Sequence, residues 1–226
     1  MKTLIKKSGF AFLLAAFIFT AASCTKDANV DSSNNNNSMN TANLQAQISM
    51  LPIESLSTAE LNTLSLMREE EKLARDVYIT LYNKWGVNIF TNISKSEQTH
   101  MDAILMLLNK YGLPDPVGSN AIGVFSNATL QNLYTQLVEQ GSISLLDAYK
   151  VGATIEDLDI FDLNSALTTI DNQDIRLVYD NLTKGSRNHM RSFYKNILSL
   201  GSTYTPQYIS QAAFDAIISS AMETGF

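Results

Sequence analysis

The sequence predicts an all-α protein: a four-helix bundle with a crossover connection, one short crossover helix and a C-terminal docking helix. Three observations lead there. Glycine and proline are scarce, 10 and 4 of 226 residues, which leaves long stretches free to be helical. Apolar residues recur every three or four positions in four long segments, the period of a helix face. A stretch of about thirty residues with one short amphipathic segment separates the second long segment from the third, enough to return the chain to its starting end.

The chain opens with a leader. Lys2, Lys6 and Lys7 precede an apolar run, Phe10–Ala22, that is too short for a comfortable membrane span and reads as an export signal. It ends Ala21-Ala22-Ser23-Cys24, which resembles a bacterial lipobox. The resemblance implies cleavage before Cys24 and lipid attachment to it, with several acyl chains as a stable anchor. Cys24 is also the single cysteine, so neither an internal disulfide nor a thiolate cluster is available. The expected organisation is a lipoprotein signal peptide over 1–23, a disordered polar tether over 24–49 and the helical bundle over 50–226. The asparagine-rich run at 31–38 has nothing to bury. The expected setting is an exported bacterial lipoprotein, held at a membrane by its anchor in the periplasm or at the cell surface.

Within the bundle, Ser57-Thr58-Ala59-Glu60 is a capping box that opens a helix reaching Trp85, with Gly86 as its stop. Leu64, Met67, Glu71, Ala74, Tyr78 and Leu81 share one face, so Glu71 interrupts an apolar stripe. Arg68, Glu69, Glu70 and Lys72 fall mostly on other sides, where a charge run is ordinarily solvated. The second long helix spans about Asn92–Lys110, with Ile93, Glu97, His100 and Ile104 inward, and ends at Gly112-Leu113-Pro114-Asp115-Pro116. A short helix over Ala128–Glu139 follows.

The third long helix covers about Ile143–Thr169. Leu145, Tyr149, Gly152, Glu156, Asp159, Leu163 and Ala166 lie on one face, and Gly152 permits close approach of a neighbour. The fourth runs about Asn172–Leu200, with Tyr179, Leu182, Ser186, His189 and Phe193 inward, and Gly185 is expected to loosen or bend it. Pro206 suits the opening of a last helix, about Gln207–Ser220, which docks through Ile209, Ala213, Phe214, Ile217 and Ile218.

The net charge of −6 argues against nucleic acid, because phosphate binding wants a basic surface. The chemistry-bearing feature is Ser96-Glu97-Gln98-Thr99-His100. A Glu and a His three residues apart lie on one helix face and can reach the same metal ion. The chain holds two histidines, His100 and His189, and both fall on inner faces of long helices. Several carboxylates converging in a core need protons, basic partners or a cation. Arg75 or Arg187 is the salt-bridge alternative to a metal.

Glu71-Lys72-Leu73-Ala74-Arg75 resembles the first ligand helix of rubrerythrin-type ferritin-like proteins, and Glu97-x-x-His100 is similar to their second. The strings Met67–Tyr78, Ser96–Met101 and Gly185–Arg191 resemble a bacterial and archaeal ferritin-like family, Domain of Unknown Function 2202. The resemblance covers Leu51–Phe226 and implies a ferritin-like four-helix bundle with a dimetal site. Carried over, Glu71 is the first-helix carboxylate, Glu97 bridges two metals and His100 binds one of them. Glu156 is the third-helix carboxylate with Asp159 in reserve, and His189 is the fourth-helix imidazole. Ser186 stands where a second Glu-x-x-His step would place a glutamate, which makes the site asymmetric. The implied cofactors are one or two divalent ions, iron first, with manganese or zinc as alternatives. Tyr78 or Tyr179 is the candidate electron donor from within the chain.

Two functions are carried forward. One is a lipid-anchored metal protein, possessing oxidase or peroxide-reducing activity, with an external electron donor that the sequence does not name. The other is a non-enzymatic lipoprotein whose bundle is an envelope interaction or structural module. A homodimer is compatible with either. Iron storage is disfavoured, because a tethered domain is a poor subunit for a closed cage.

Overall fold

The computed structural model describes residues 41–224, and all regular secondary structure among them is helical. The leader, Cys24 and the asparagine-rich run lie outside the described residues. The helices are α1 (Thr41–Met50), α2 (Thr58–Trp85), α3 (Asn88–Lys110), α4 (Ala128–Gly141), α5 (Leu145–Leu167), α6 (Gln173–Ser199) and α7 (Gln211–Ser219). The four long ones, α2, α3, α5 and α6, form the bundle. Tyr78 of α2 meets Gly152 and Glu156 of α5, while Glu60, in the first turn of α2, meets Asp171 and Asn172 beyond the end of α5. These pairings run in opposite directions, so α2 and α5 are antiparallel. The hairpins α2–α3 and α5–α6 are joined by the crossover carrying α4, which is the ferritin-like connection.

Each boundary has a local cause. Ser57 accepts from Glu60 N while Glu60 accepts from Ser57 N, a complete capping box. Gly86 adopts φ 65°, a left-handed conformation that ends α2 at little steric cost. That is the only interruption before α3, which starts at Asn88, four residues earlier than expected from the Asn92 boundary. Ser144 caps α5 by accepting from Asp147 N.

Two expectations are corrected. Residues 41–49, read from sequence as polar tether, are part of α1. Leu44 and Ile48 are four residues apart and buried, and Lys110 Nζ donates to Ile48, Leu51 and Pro52 carbonyls while pairing with Asp174 at 2.6 Å. A cation on the otherwise unsatisfied carbonyl end of a short helix stabilises it. The last helix begins at Gln211, capped by Ser210, and not near Pro206. The reason is Asp157, whose carboxylate accepts from the backbone N–H groups of Gln207, Tyr208 and Ile209 and from the Tyr204 hydroxyl. The backbone donors that a helix start would leave to solvent are thus committed to a buried acid.

The charge run on α2 is not solvated: Arg68, Glu69, Glu70, Glu71 and Lys72 are all buried. The crossover covers Arg68, Glu69 and Lys72. Glu69 accepts from Ser126 N and Asn127 N at the start of α4. Arg68 donates to both oxygens of Asp115 and to Met101 O. Lys72 binds Asp76 and Ala121 O, and Asp76 also accepts from Gly123 N.

Glu60 ties the two ends of the chain's bundle together. It accepts from Ser57 N at 2.8 Å, Asn172 N at 3.1 Å and Asp171 N at 3.3 Å. Burial pushes its carboxyl up, but the hydrogen bonds from Ser57, Asn172 and Asp171 outweigh burial and hold it below the ordinary range. A group depressed on folding adds stability above its unfolded pKa and loses it as pH falls through the folded value. Glu60→Gln is therefore expected to lower stability by about 1–3 kcal/mol at pH 7, with the deficit shrinking below about pH 4. Urea denaturation at the two pH values checks this, and an equal deficit at both would contradict it.

Candidate metal centre

The four bundle helices each send an acid or an imidazole inward at the same level. From α2 comes Glu71, from α3 Glu97 and His100, from α5 Glu156 and from α6 His189, and all are buried. Their ligand atoms fall into two close groups that share one residue: Glu71, Glu97 and His100 in the first, Glu97, Glu156 and His189 in the second. Glu97 is shared because its two oxygens face opposite ways. Oε2 lies 2.8 Å from His100 Nδ1, and Oε1 lies 2.8 Å from His189 Nδ1. His100 Nδ1 is also 3.0 Å from Glu71 Oε2, and His189 Nδ1 is 3.4 Å from Glu156 Oε2. The imidazole rings stack at 5.6 Å between centroids.

The surroundings aim these groups. Tyr78 Oη donates to Glu156 Oε1 at 2.5 Å, which leaves Oε2 turned toward His189. Ser96 Oγ lies 3.0 Å from His189 Nε2, so the opposite ring nitrogen faces Glu97. An outer partner on the second nitrogen is how a ligating histidine is held in one orientation. On α6, Gly185 has no side chain where His100 sits: a Cβ there would lie 2.5 Å from His100 Nε2. Gly185 therefore makes room for the ring, and does not merely loosen the helix. Gly152 does the same for the aromatic layer beneath the site, since a Cβ there would lie 2.4 Å from the Phe193 ring.

Charge is poorly balanced within the site. Burial pushes the Glu71 carboxyl up to about 7, partly offset by His100. Burial likewise raises Glu156 and, more strongly, Asp159, the latter beside Glu71 and Glu156. Burial would raise Glu97 too, but the two imidazoles hold it well below the carboxylate range. Burial alone would lower His189, yet Glu97 and Glu156 push it up to about 10. His100 is raised by Glu71 and Glu97 against the same burial effect.

Glu97 Oε1, Glu156 Oε2 and His189 Nδ1 have no hydrogen-bond partner. They lie close together without being aligned to share a proton. Buried polar atoms are rarely left so, and a cation among them would satisfy all three. The residues present therefore fit a metal ion.

The structure separates the sequence-derived candidates. Glu71, Glu97, His100, Glu156 and His189 come together. Asp159 is buried with its Oδ2 unpartnered, yet neither close group includes it. Ser186 Oγ donates to Leu182 O at 3.2 Å, back along its own helix. The arginine alternative is not what the structure holds: Arg75 binds Asp76 and Gln98, and Arg187 binds Glu223. Of the two tyrosines, Tyr78 touches the site, whereas Tyr179 Oη donates to Thr63 at 3.4 Å. Sequence reasoning missed Ser96 and the role of Gly185. Ser96 directly precedes Glu97, but its pairing with His189 spans two helices and leaves no local signal.

A ferritin-like bundle with buried Glu/His groups able to hold a metal ion is the class that fold and site define. The chain belongs to the family described as uncharacterized protein domain DUF2202, whose model matches residues 60–221. It is 59% identical over 178 residues to the uncharacterized protein MJ0754 of Methanocaldococcus jannaschii, covering 79% of this chain and 96% of that protein. The crystal structure of hypothetical protein MJ0754 matches with a TM-score of 0.76, covering 76% of this chain and 99% of that one.

This likeness corrects the expected setting. A relative so similar comes from an archaeon, which has neither a bacterial periplasm nor a bacterial lipoprotein envelope. The exported, membrane-anchored bacterial lipoprotein is therefore withdrawn as the setting of this domain. Among the described residues no helix is long and apolar enough to cross a membrane.

Proposed function

We propose that this protein binds one or two transition-metal ions in the bundle core, with iron the first choice and manganese or zinc the alternatives. The observation that carries the reading is Glu97, whose two oxygens each face a different histidine Nδ1 at 2.8 Å. Glu71, Glu97 and His100 would hold one ion, and Glu97, Glu156 and His189 the other. Mixed carboxylate and imidazole donors suit these metals. An iron or manganese ion so held would supply redox chemistry toward oxygen or peroxide. The chain's own groups do the rest. Tyr78 holds Glu156, Ser96 turns His189, and Tyr78, Phe90, Tyr149 and Phe193 pack as a buried aromatic layer. Ser186, turned away, leaves the two positions unequal.

A second reading has its own observation. His189 pushed up to about 10, with His100 also raised, lets two imidazolium groups neutralise the acids without metal, as in a purely structural bundle. The readings differ in their response to pH. A histidine raised on folding gives stability that is full below its unfolded value, about 6.5, and is lost as pH rises through its folded value. The proton-held bundle is thus expected to weaken between about pH 6.5 and 10. A metal-loaded bundle weakens in the other direction, because protons compete for its ligands as pH falls.

The test is elemental analysis of untagged protein, followed by melting curves at pH 6 and pH 8 with and without a chelator. One to two equivalents of metal, and a melting temperature that falls on chelation, are expected. Metal-free protein whose melting temperature ignores both chelator and added iron would overturn the proposal in favour of the structural reading.

A further inference from the structure

Beside the candidate metal centre lies a second set of acids that neither group uses. Asp159 and Asp162 follow the ligand Glu156 along α5 at three-residue steps, each about 4.5 Å further on and turned about 60° round the helix, toward the surface. Across from them on α2 is Glu70. Exposure is graded along the stripe. Glu156 is fully buried, Asp159 is 4% exposed and Glu70 5%, while Asp162 is half-buried at the surface. The groups sense one another in sequence: Glu70 is hydrogen-bonded to Asp162 and lies beside Glu71, and Asp159 lies beside Glu71, Glu156 and Glu70.

None of the three outer acids has a basic partner among the ion pairs of the described residues. Glu70 Oε2 and Asp159 Oδ2 have no hydrogen-bond partner at all. Contrast the other buried acids of the same helices: Glu69, Asp76 and Asp157 each accept from backbone donors or basic groups. A buried carboxylate oxygen without a hydrogen bond is costly against a hydrogen-bonded or apolar alternative. Packing alone does not account for two of them in a row.

We infer that Asp162, Glu70 and Asp159 form the entry path by which a divalent cation passes from the surface between α2 and α5 to the ligands Glu71 and Glu156. This inference rests on the metal-binding reading. A cation leaving water needs oxygen donors at each step inward, and negative charge at the mouth raises its local concentration. The stripe supplies both: an acid at the surface, two buried acids below it that each keep one carboxylate oxygen without a hydrogen bond, and the ligand groups at its end. The path acts on the rate of loading and not on how many ions are finally held.

Cobalt(II) provides the probe, since its visible absorption reports binding in stopped-flow mixing with metal-free protein. Asp162→Asn keeps the shape and the hydrogen bond to Glu70 but removes the mouth charge. It is expected to slow cobalt loading about tenfold, with the number of ions bound and the melting temperature of the loaded protein unchanged. Asp162→Glu should retain the wild-type rate, as should Asp215→Asn on exposed α7. Glu70→Gln should slow loading too, and circular dichroism shows whether it folds. Rising salt should slow the wild type more than Asp162→Asn.

Wild-type loading rates in both Asp162→Asn and a folded Glu70→Gln would overturn the entry path. So would a drop in the number of ions bound by Asp162→Asn, which would make Asp162 a ligand. A wild type that binds no cobalt at equilibrium would overturn the metal reading itself and the path with it. A wild type that loads normally beside indifferent variants would overturn the path alone.

Discussion

Glu97→Ala is expected to empty both halves of the site at once. Glu97 is the one residue common to the two ligand groups, so its loss removes a ligand from each. Affinity at both positions should fall by more than the 10–100-fold typical of losing an outer partner. Glu71→Ala and Glu156→Ala should each reduce binding at one position and spare the other. The metal-free protein suffers too. Without Glu97, His100 and His189 lose the carboxylate between them, and removing one member of a buried charged set costs about 3–5 kcal/mol. Metal content by elemental analysis and thermal unfolding of the metal-free protein separate the two effects. Glu97→Ala protein with the wild-type metal content would show that Glu97 bridges nothing.

Gly185→Ala should do comparable damage through a single methyl group. In the interior of a helix, alanine in place of glycine ordinarily stabilises by about 1 kcal/mol. Here the added Cβ would stand 2.5 Å from His100 Nε2 and 2.6 Å from Cε1. Either α6 moves outward or the His100 ring rotates, and overpacking of this kind costs about 1–3 kcal/mol. The ring is fixed on its other side by Glu71 and Glu97, so rotation withdraws Nδ1 from both. The expected result is a net loss of stability and a larger loss of metal at the Glu71–Glu97–His100 position. Gly152→Ala is the control. It crowds the Phe193 ring and should lower stability while leaving metal binding to His100 intact. If Gly185→Ala were more stable than wild type with full metal content, the close approach would have no functional meaning.

Much of the bundle was legible because helices are local. Leu64, Met67, Ala74 and Tyr78 declare the inner face of α2 by spacing alone, and Glu71 stands out because it breaks their stripe. The same holds for Glu97 and His100 on α3. Boundaries were legible where chemistry marks them, at the Ser57–Glu60 box and at Gly86. They were lost where the marker is distant. Pro206 looked like a helix start, and only Asp157, about fifty residues upstream, keeps 207–209 out of α7. Helix α1 hid in a polar composition, since Leu44 and Ile48 are its entire buried face.

The run Glu69-Glu70-Glu71 shows most clearly where local reasoning stops. By periodicity the three differ only in direction. In the fold, Glu69 accepts from the backbone just before α4, Glu70 pairs with Asp162, and Glu71 meets His100. The packing of α2 against the crossover, α5 and α3 decides those fates, through contacts between residues tens of positions apart. Sequence alone thus determined that this is a helical bundle and that Glu71, Glu97, His100, Glu156 and His189 interrupt the inner faces of its long helices, because a 3.6-residue period is written in neighbouring positions. The tertiary structure decided that Arg75 and Arg187 point elsewhere, that Ser96 and Gly185 set the two imidazoles, and that Glu97 faces both histidines. Those facts depend on the axial register of one helix against another, which packing across the core sets and no single segment contains.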